Sequence, residues 1–213
     1  MADVVVVDYG MGNLRSVAKA VEHVAADQHV IISSDASEIA NAGRVVFPGQ
    51  GAAQDCMREL QARNLDQVVL SASKEKPFLG ICMGMQVLLS MSEENEGVDC
   101  LGLYEGKVHR FANDLTGAQS EKLKIPHMGW NGVSQALDHP LWHNIENNSR
   151  FYFVHSYFVD PVDKNIIAAT THYGHEFVSA IAHNNVFAVQ CHPEKSAQDG
   201  LQLLKNFVQW NGQ

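Results

Sequence analysis

The stretch PFLGICMGMQ, residues 77–86, joins two patterns at a single cysteine. Pro77 to Ile81 reads as a short buried strand, and Gly84-Met85-Gln86-Val87-Leu88-Leu89 reads as the start of an apolar helix. Cys82 stands at the junction with a glycine two positions away on each side. This is the G-x-nucleophile-x-G pattern of a sharp strand-to-helix turn. Glycine is expected at both flanks because a side chain there would collide with neighbouring backbone. The turn lifts the central side chain above a sheet and next to a helix N-terminus, whose partial positive charge favours a thiolate. Two readings stand at this point. Cys82 is either a small hydrophobe in a core, as buried free cysteines commonly are, or a thiol presented for chemistry. A free thiol with a pKa of ~8.5 is mostly protonated at neutral pH, so the second reading also demands a base.

Working outward, the first half of the chain alternates strands and helices. Val4-Val5-Val6-Val7 is a continuous β-branched run, the pattern of a parallel strand covered on both faces. A turn over Asp8 to Asn13 leads to helical spacing of apolar residues from Leu14 to Val24. Val30 to Ile32 and Val45 to Phe47 read as further strands, with helices expected over 52–62 and 65–73. This β-loop-α repetition predicts an α/β fold with an open, mostly parallel sheet and helices on both faces. The second half reads as strands over 106–110, 151–154, 166–170, 177–181 and 186–190, several of them antiparallel, closed by a helix over 197–210. The polar segment 113–124 reads as an exposed loop. With no repeat, low-complexity tract or linker, one domain over residues 1–213 is expected.

The bulk composition narrows the function. Hydrophobic residues make up 46% and charged residues 18%, which suits a compact chain with a substantial core. The formal charge of −9 argues against nucleic acid or an anionic membrane as partner. No apolar stretch reaches eighteen residues, and the N-terminus lacks the basic region of a signal peptide, so the cytoplasm is the expected compartment. Cys56, Cys82, Cys100 and Cys191 are then expected as reduced thiols. No C-x-x-C pair is present, and His172 and His175 lie beside a glycine turn without a nearby third ligand, so no metal is expected.

Three other segments bear on chemistry. Gly10-Met11-Gly12 follows a strand, but Arg15 stands where a dinucleotide-binding fingerprint needs its third glycine, so a tight turn is the preferred reading. His192-Pro193-Glu194 follows the strand ending near Gln190. Proline stiffens this segment, and the carboxylate can then hold one imidazole nitrogen while the other faces a thiol. The competing reading is a surface turn with an incidental histidine. Pro48-Gly49-Gln50-Gly51 ends another strand, and its glycines permit close approach of backbone N–H groups to a developing oxyanion. Each segment alone is weak; together they describe an acyl-transfer site.

G-I-C-M-G-M-Q with a distant H-P-E resembles the class I (triad) glutamine amidotransferases along essentially the whole chain. The segments D-Y-G-M-G-N (8–13), S-E-E-N-E-G-V-D-C-L-G-L (92–103), P-H-M-G-W-N (126–131), Y-F-V-H-S-Y (152–157) and H-P-E-K-S (192–196) resemble the branch formed by glutaminase subunits of imidazole glycerol phosphate synthase. The resemblance implies Cys82 as nucleophile, His192 as base and Glu194 as its orienting partner. It places the oxyanion between Met83 and the backbone of Gly49, Gln50 and Gly51, and glutamine against Gly51, Gln86, Glu94, Ser156 and Tyr157. It implies no cofactor. The implied partner is a cyclase subunit with a (β/α)8 barrel that consumes the ammonia, contacted by Asn13, Trp130, Tyr152 and Lys195. Read blandly, those four are a helix start, two core aromatics and a solvated charge.

Two positions depart from the family pattern. The loop is most often P-G-V-G, and Gln50 brings a polar side chain able to alter how that peptide rotates. Cys191 replaces the usual phenylalanine before the histidine, and strand alternation predicts that it points away from His192's side. Two other functions remain in contention: an amidotransferase serving a different synthase, and a non-catalytic interaction module that keeps the fold. Co-purification with a barrel protein separates the first from the leading reading, and labelling of Cys82 by a glutamine-like electrophile excludes the second.

Overall fold

The computed structural model describes residues 2–117 and 120–213. β1 (Val4–Val7) lies one strand in from an edge of the main sheet, and all four of its valines are inaccessible to solvent. Alternate side chains of a strand point to opposite faces, and both faces are covered here. Val4 and Val6 pack with residues of α1 (Leu14–Val24) and α6 (Ala197–Gln209). Val5 and Val7 pack with residues of α2 (Ala36–Asn41), α3 (Ala53–Ala62) and α4 (Asp66–Glu75). Full burial of such a side chain stabilises the fold by roughly 1.5–3 kcal/mol, which is why the run contains no polar residue.

β2 (Val30–Ser33), β1, β3 (Arg44–Gly49), β4 (Phe78–Cys82) and β14 (Val186–Val189) lie side by side in that order, each adjacent pair parallel. Beyond β14 the sheet continues antiparallel through β13 (His175–His183), β11 (Tyr157–Pro161) and β7 (Tyr104–Arg110). β5 (Leu89–Ser92) then joins β7 in parallel, and β6 (Val98–Asp99) closes that edge. β12 (Ile167–Tyr173) pairs with β13 and carries the short β9 (Ser134–Gln135). A separate antiparallel ribbon joins β8 (His127–Gly132) to β10 (Arg150–His155), placing Trp130 opposite Tyr152 and His127 opposite His155.

The expected strand–helix alternation is present, with two differences. The apolar helix expected from Gly84 is one turn only, α5 (Met83–Gln86), and Leu89 already belongs to β5. Val87, Leu88 and Leu89 are all fully buried. An unbroken apolar run carries no helical period, so its pattern fits a buried strand equally well. The second difference is α2, absent from the sequence reading. Its start is set by Asp35, whose carboxylate accepts from the Ser37 and Glu38 backbone N–H groups. Within 113–124, residues 118 and 119 lie outside the described residues, and an isolated bridge joins Thr116 to Lys122. Among the described residues no helix is long and apolar enough to cross a membrane.

Candidate active site

Three neighbouring parallel strands, β3, β4 and β14, end side by side. Gly49 is in register with Cys82, and Ile81 with Val189. The Pro48–Gly51 loop, Cys82 and the bend leading to His192 therefore emerge together, where open α/β sheets place their ligands.

Cys82 has φ 56° and ψ −110°, left-handed backbone for a residue with a side chain. Such a conformation costs on the order of 1–3 kcal/mol and persists only where its surroundings enforce it. The flanking glycines show how they do so. A Cβ on Gly84 would stand 1.9 Å from the Phe47 carbonyl oxygen, and one on Gly80 2.8 Å from the Gly84 oxygen. α5 is thus pressed against β3, and the chain can leave β4 only by turning sharply at Cys82. The thiol is 7% exposed.

His192 follows β14 and is held by its backbone. Its N–H donates to the Tyr152 carbonyl (2.9 Å), while its carbonyl accepts from Ser196 Oγ (2.7 Å), which itself accepts from the Tyr152 N–H (2.9 Å). The imidazole Nδ1 lies 2.8 Å from Glu194 Oε1, with the side chains 3% and 1% exposed. Pointing Nδ1–H at a carboxylate leaves Nε2 for chemistry, and Nε2 is buried with no hydrogen-bond partner among the described residues. Burial opposes charge on His192, but the Cys82 sulfur and then the Glu194 carboxylate outweigh it, raising the pKa to about 10. The imidazole therefore holds its proton across the neutral range. Gly200 in α6 lets the last helix close on this turn: a Cβ there would stand 2.0 Å from the Pro193 oxygen.

Cys82 and His192 line a cavity of about 450 Å³ together with Gln50, Gly51, Met83, Gln86, Glu94, Ser156, Tyr157 and Lys195. Glu194 lies behind His192, and Gly49 lies behind the loop, where a Cβ would come within 2.4 Å of the Tyr9 hydroxyl. Two of the lining side chains are already committed in part. Gln86 Nε2 donates to the Tyr157 carbonyl (3.2 Å) and to Gln190 Oε1 (2.9 Å), leaving only its oxygen for a ligand. One oxygen of Glu94 accepts from the Ala53 N–H at the start of α3 (2.5 Å), leaving the other.

Of the expected partner contacts, Trp130 and Tyr152 are not core aromatics: Trp130 is 43% exposed and meets Tyr152 edge-on, ring centroids 6.2 Å apart. Lys195 Nζ lies 5.9 Å over the Tyr152 ring. Met128, 62% exposed, shares one face of the β8–β10 ribbon with Trp130 and Tyr152, beside the cavity that Lys195 lines. Asn13 is exposed at the start of α1 and makes no capping hydrogen bond. The Gln50 side chain makes no hydrogen bond among the described residues. Cys191 is 2% exposed. The alternation argument for it does not apply, because β14 ends at Val189 and both Cys191 and His192 lie in the bend beyond.

Sequence reasoning missed four residues around the site. His155, next to the strand expected over 151–154 and given no role there, lines the cavity. Tyr9 donates its hydroxyl to the Pro48 carbonyl (3.0 Å), fixing the base of the glycine loop. Gln190 donates to Cys82 Sγ (3.6 Å), and Ser196 ties His192 to β10. No local signal marks Tyr9 or Gln190; their contacts span 39 and 108 residues of chain.

The family model for class-I glutamine amidotransferases matches residues 5–210, and the chain belongs to that family. Within it, the chain is 61% identical to imidazole glycerol phosphate synthase subunit HisH of Hydrogenovibrio crunogenus, covering 99% of this chain and 97% of that one. It is 58% identical to the subunit of the same name from Thiobacillus denitrificans, over 98% and 92% of the two chains. These identities make it a member of the HisH branch. Among solved structures, PurLQS from Thermotoga maritima has the same fold, with a TM-score of 0.68 at 18% identity, covering 98% of this chain and 99% of that one.

Proposed function

We propose that this chain is the glutaminase subunit of an imidazole glycerol phosphate synthase, working in the cytoplasm as one domain on a (β/α)8 barrel cyclase. The observation that carries the reading is the meeting of Cys82 with the His192–Glu194 pair in one cavity at three adjacent strand ends. The Cys82 thiolate attacks the side-chain carbonyl carbon of glutamine. The oxyanion is held by the Met83 N–H and a backbone N–H of the Gly49–Gly51 loop. Protonated His192 gives its proton to the departing nitrogen, ammonia leaves, and a glutamyl thioester remains on Cys82. Water, deprotonated by His192, then hydrolyses the thioester to glutamate.

Polarity orients the substrate. Gln86 has used both amide hydrogens, so only its oxygen is left. With the free oxygen of Glu94 it forms an acceptor pair suited to the α-ammonium of glutamine. Gly51, Ser156 and Tyr157 line the remaining wall.

Ammonia released into water becomes ammonium, which is not nucleophilic, so the consumer must sit directly against this site. The face formed by Met128, Trp130, Tyr152 and Lys195 adjoins the cavity and is the surface on which the barrel docks, with Asn13 at its border. The cyclase joins the ammonia to its ribonucleotide substrate, yielding imidazole glycerol phosphate and an aminoimidazole carboxamide ribonucleotide. The test is a glutaminase assay with and without the cyclase and its nucleotide ligand. Hydrolysis is expected to rise sharply only in the complex. Cys82→Ala should abolish it while leaving the complex able to use ammonium salts. Undiminished hydrolysis in that variant would sink the assignment.

A further inference from the structure

We propose that Gln190 is a further catalytic residue of this site, a buried amide whose N–H stabilises the Cys82 thiolate. The inference rests on Cys82 being the nucleophile. Gln190 is fully buried immediately after β14, two residues before His192, and its Nε2 lies 3.6 Å from Cys82 Sγ. A side-chain amide can present either its nitrogen or its oxygen, and coordinates seldom decide which. Here the neighbours decide. The Tyr157 carbonyl can only accept, so the group facing it must be the Gln86 amide nitrogen (3.2 Å). The same nitrogen faces the Gln190 amide at 2.9 Å and needs an oxygen there. Gln190 must therefore turn its Nε2 toward the sulfur.

The chain of bonds continues beyond Tyr157. Its carbonyl also meets His155 Nδ1 (2.8 Å), so Nδ1 carries the hydrogen and His155 Nε2 is an acceptor. That acceptor lies 2.9 Å from His127 Nδ1, which must then donate, and His127 Nε2 faces Asn131 Nδ2 at 3.3 Å. Every link is satisfied in one direction only. Reversing Gln190 would place two donors against each other at Gln86 and an oxygen against the sulfur.

An N–H donor discriminates between the states of a sulfur. A thiol is a weak acceptor, whereas a thiolate accepts a charge-assisted hydrogen bond of about twice the ordinary strength. Other titratable groups interact with the same sulfur: His192 from the turn after β14, with Glu194 behind it, Tyr9 from the loop after β1, and Cys191 from the bend. Burial raises Tyr9 and Cys191 well above their ordinary values. They stay neutral between pH 5.5 and 9, and the amide adds a donor that does not titrate.

The test is the pH dependence of Cys82 alkylation by iodoacetamide, a small uncharged probe, followed by mass spectrometry of the Cys82 peptide in the full chain. Gln190→Met keeps the length and removes the donor. The half-maximal pH is expected to rise by about one unit, the worth of one hydrogen bond to a charged group. In the complex, kcat for glutamine at pH 7 should fall by up to about tenfold, with KM within about twofold. Gln190→Leu also removes the donor, with a shorter apolar side chain, and its shift should be as large. It carries the test should the Met variant not fold. An unshifted profile in either folded variant overturns the proposal while leaving Cys82 as the nucleophile. Loss of labelling in the parent protein would instead remove the nucleophile assignment.

Discussion

Lowering the pH from 7 to 5 should destabilise this protein through two buried histidines. His155 and His127 are 5% and 3% exposed. Burial pushes His155 down to about 3 and His127 to about 4, against ~6.5 in the unfolded chain. Both therefore bind fewer protons folded than unfolded between those limits. Their stability contribution is complete above pH 6.5, declines as pH falls, and stops declining below the folded values. At pH 5 each histidine costs about 1.36 × (6.5 − 5), or roughly 2 kcal/mol, if it stays neutral in the fold. The pair removes roughly 2–4 kcal/mol of the 5–15 kcal/mol typical of a domain. His192 does not blur the window. Its raised value makes its contribution complete below pH 6.5 and lost only as pH rises toward 10. The assay is urea unfolding at intervals from pH 5 to 7, in the parent and in His155→Asn, whose amide nitrogen stands where Nδ1 stood. Over pH 5–6 the variant's stability should vary less with pH by about 1.4 kcal/mol per unit, one proton's worth. It should vary less by up to twice that if His127, having lost its partner, also becomes free to charge. A slope equal to the parent's would refute the reasoning.

Removing the proton carrier should cost more than removing its guide. His192→Ala is expected to lose ~10²–10⁴-fold in kcat of the complex and Glu194→Ala less, with equal or reversed losses counting against these roles. Gly84→Ala forces a Cβ to 1.9 Å from the Phe47 carbonyl, and should destabilise the chain by about 3 kcal/mol in urea melts. Trp130→Ala should alter that stability little, by about 0.5–1 kcal/mol, since the residue is 43% exposed on an open face. It should weaken binding of the cyclase by about thirtyfold, measured by titration calorimetry.

Legibility in the sequence followed the range of the interaction. The four valines of β1 announced a doubly covered strand because burial on both faces demands apolar residues at every position. The Cys82 elbow was legible because its constraint is local: two glycines within two residues remove the Cβ atoms that would strike Phe47 and Ala188. His192 and Glu194 were legible for the same reason, two residues apart with a proline between. The short helix after Cys82 was not, because Val87 to Leu89 are buried whichever way the backbone turns. Nor was Gln190, whose role exists only when β4, β11 and β14 are assembled and three amide groups constrain one another's direction.

The same contrast separates the two halves of the site. Cys82, the proposed nucleophile, is held by sterics, the closeness of Gly80 and Gly84 to neighbouring atoms. The base is held by hydrogen bonds from a different element: Tyr152 binds the His192 backbone through its carbonyl and, via Ser196, through its N–H. Tyr152 is also the residue whose ring meets Trp130 and Lys195 on the exposed face. One residue thus faces outward with its side chain and grips His192, the proposed base, with its backbone. A shift of the β8–β10 ribbon would reach His192 directly through the Tyr152 backbone, and Cys82 only through the longer chain of side-chain bonds that starts at His155. The mutual placement of thiol and imidazole, unlike the strained turn that presents the thiol, is therefore the adjustable part of this site.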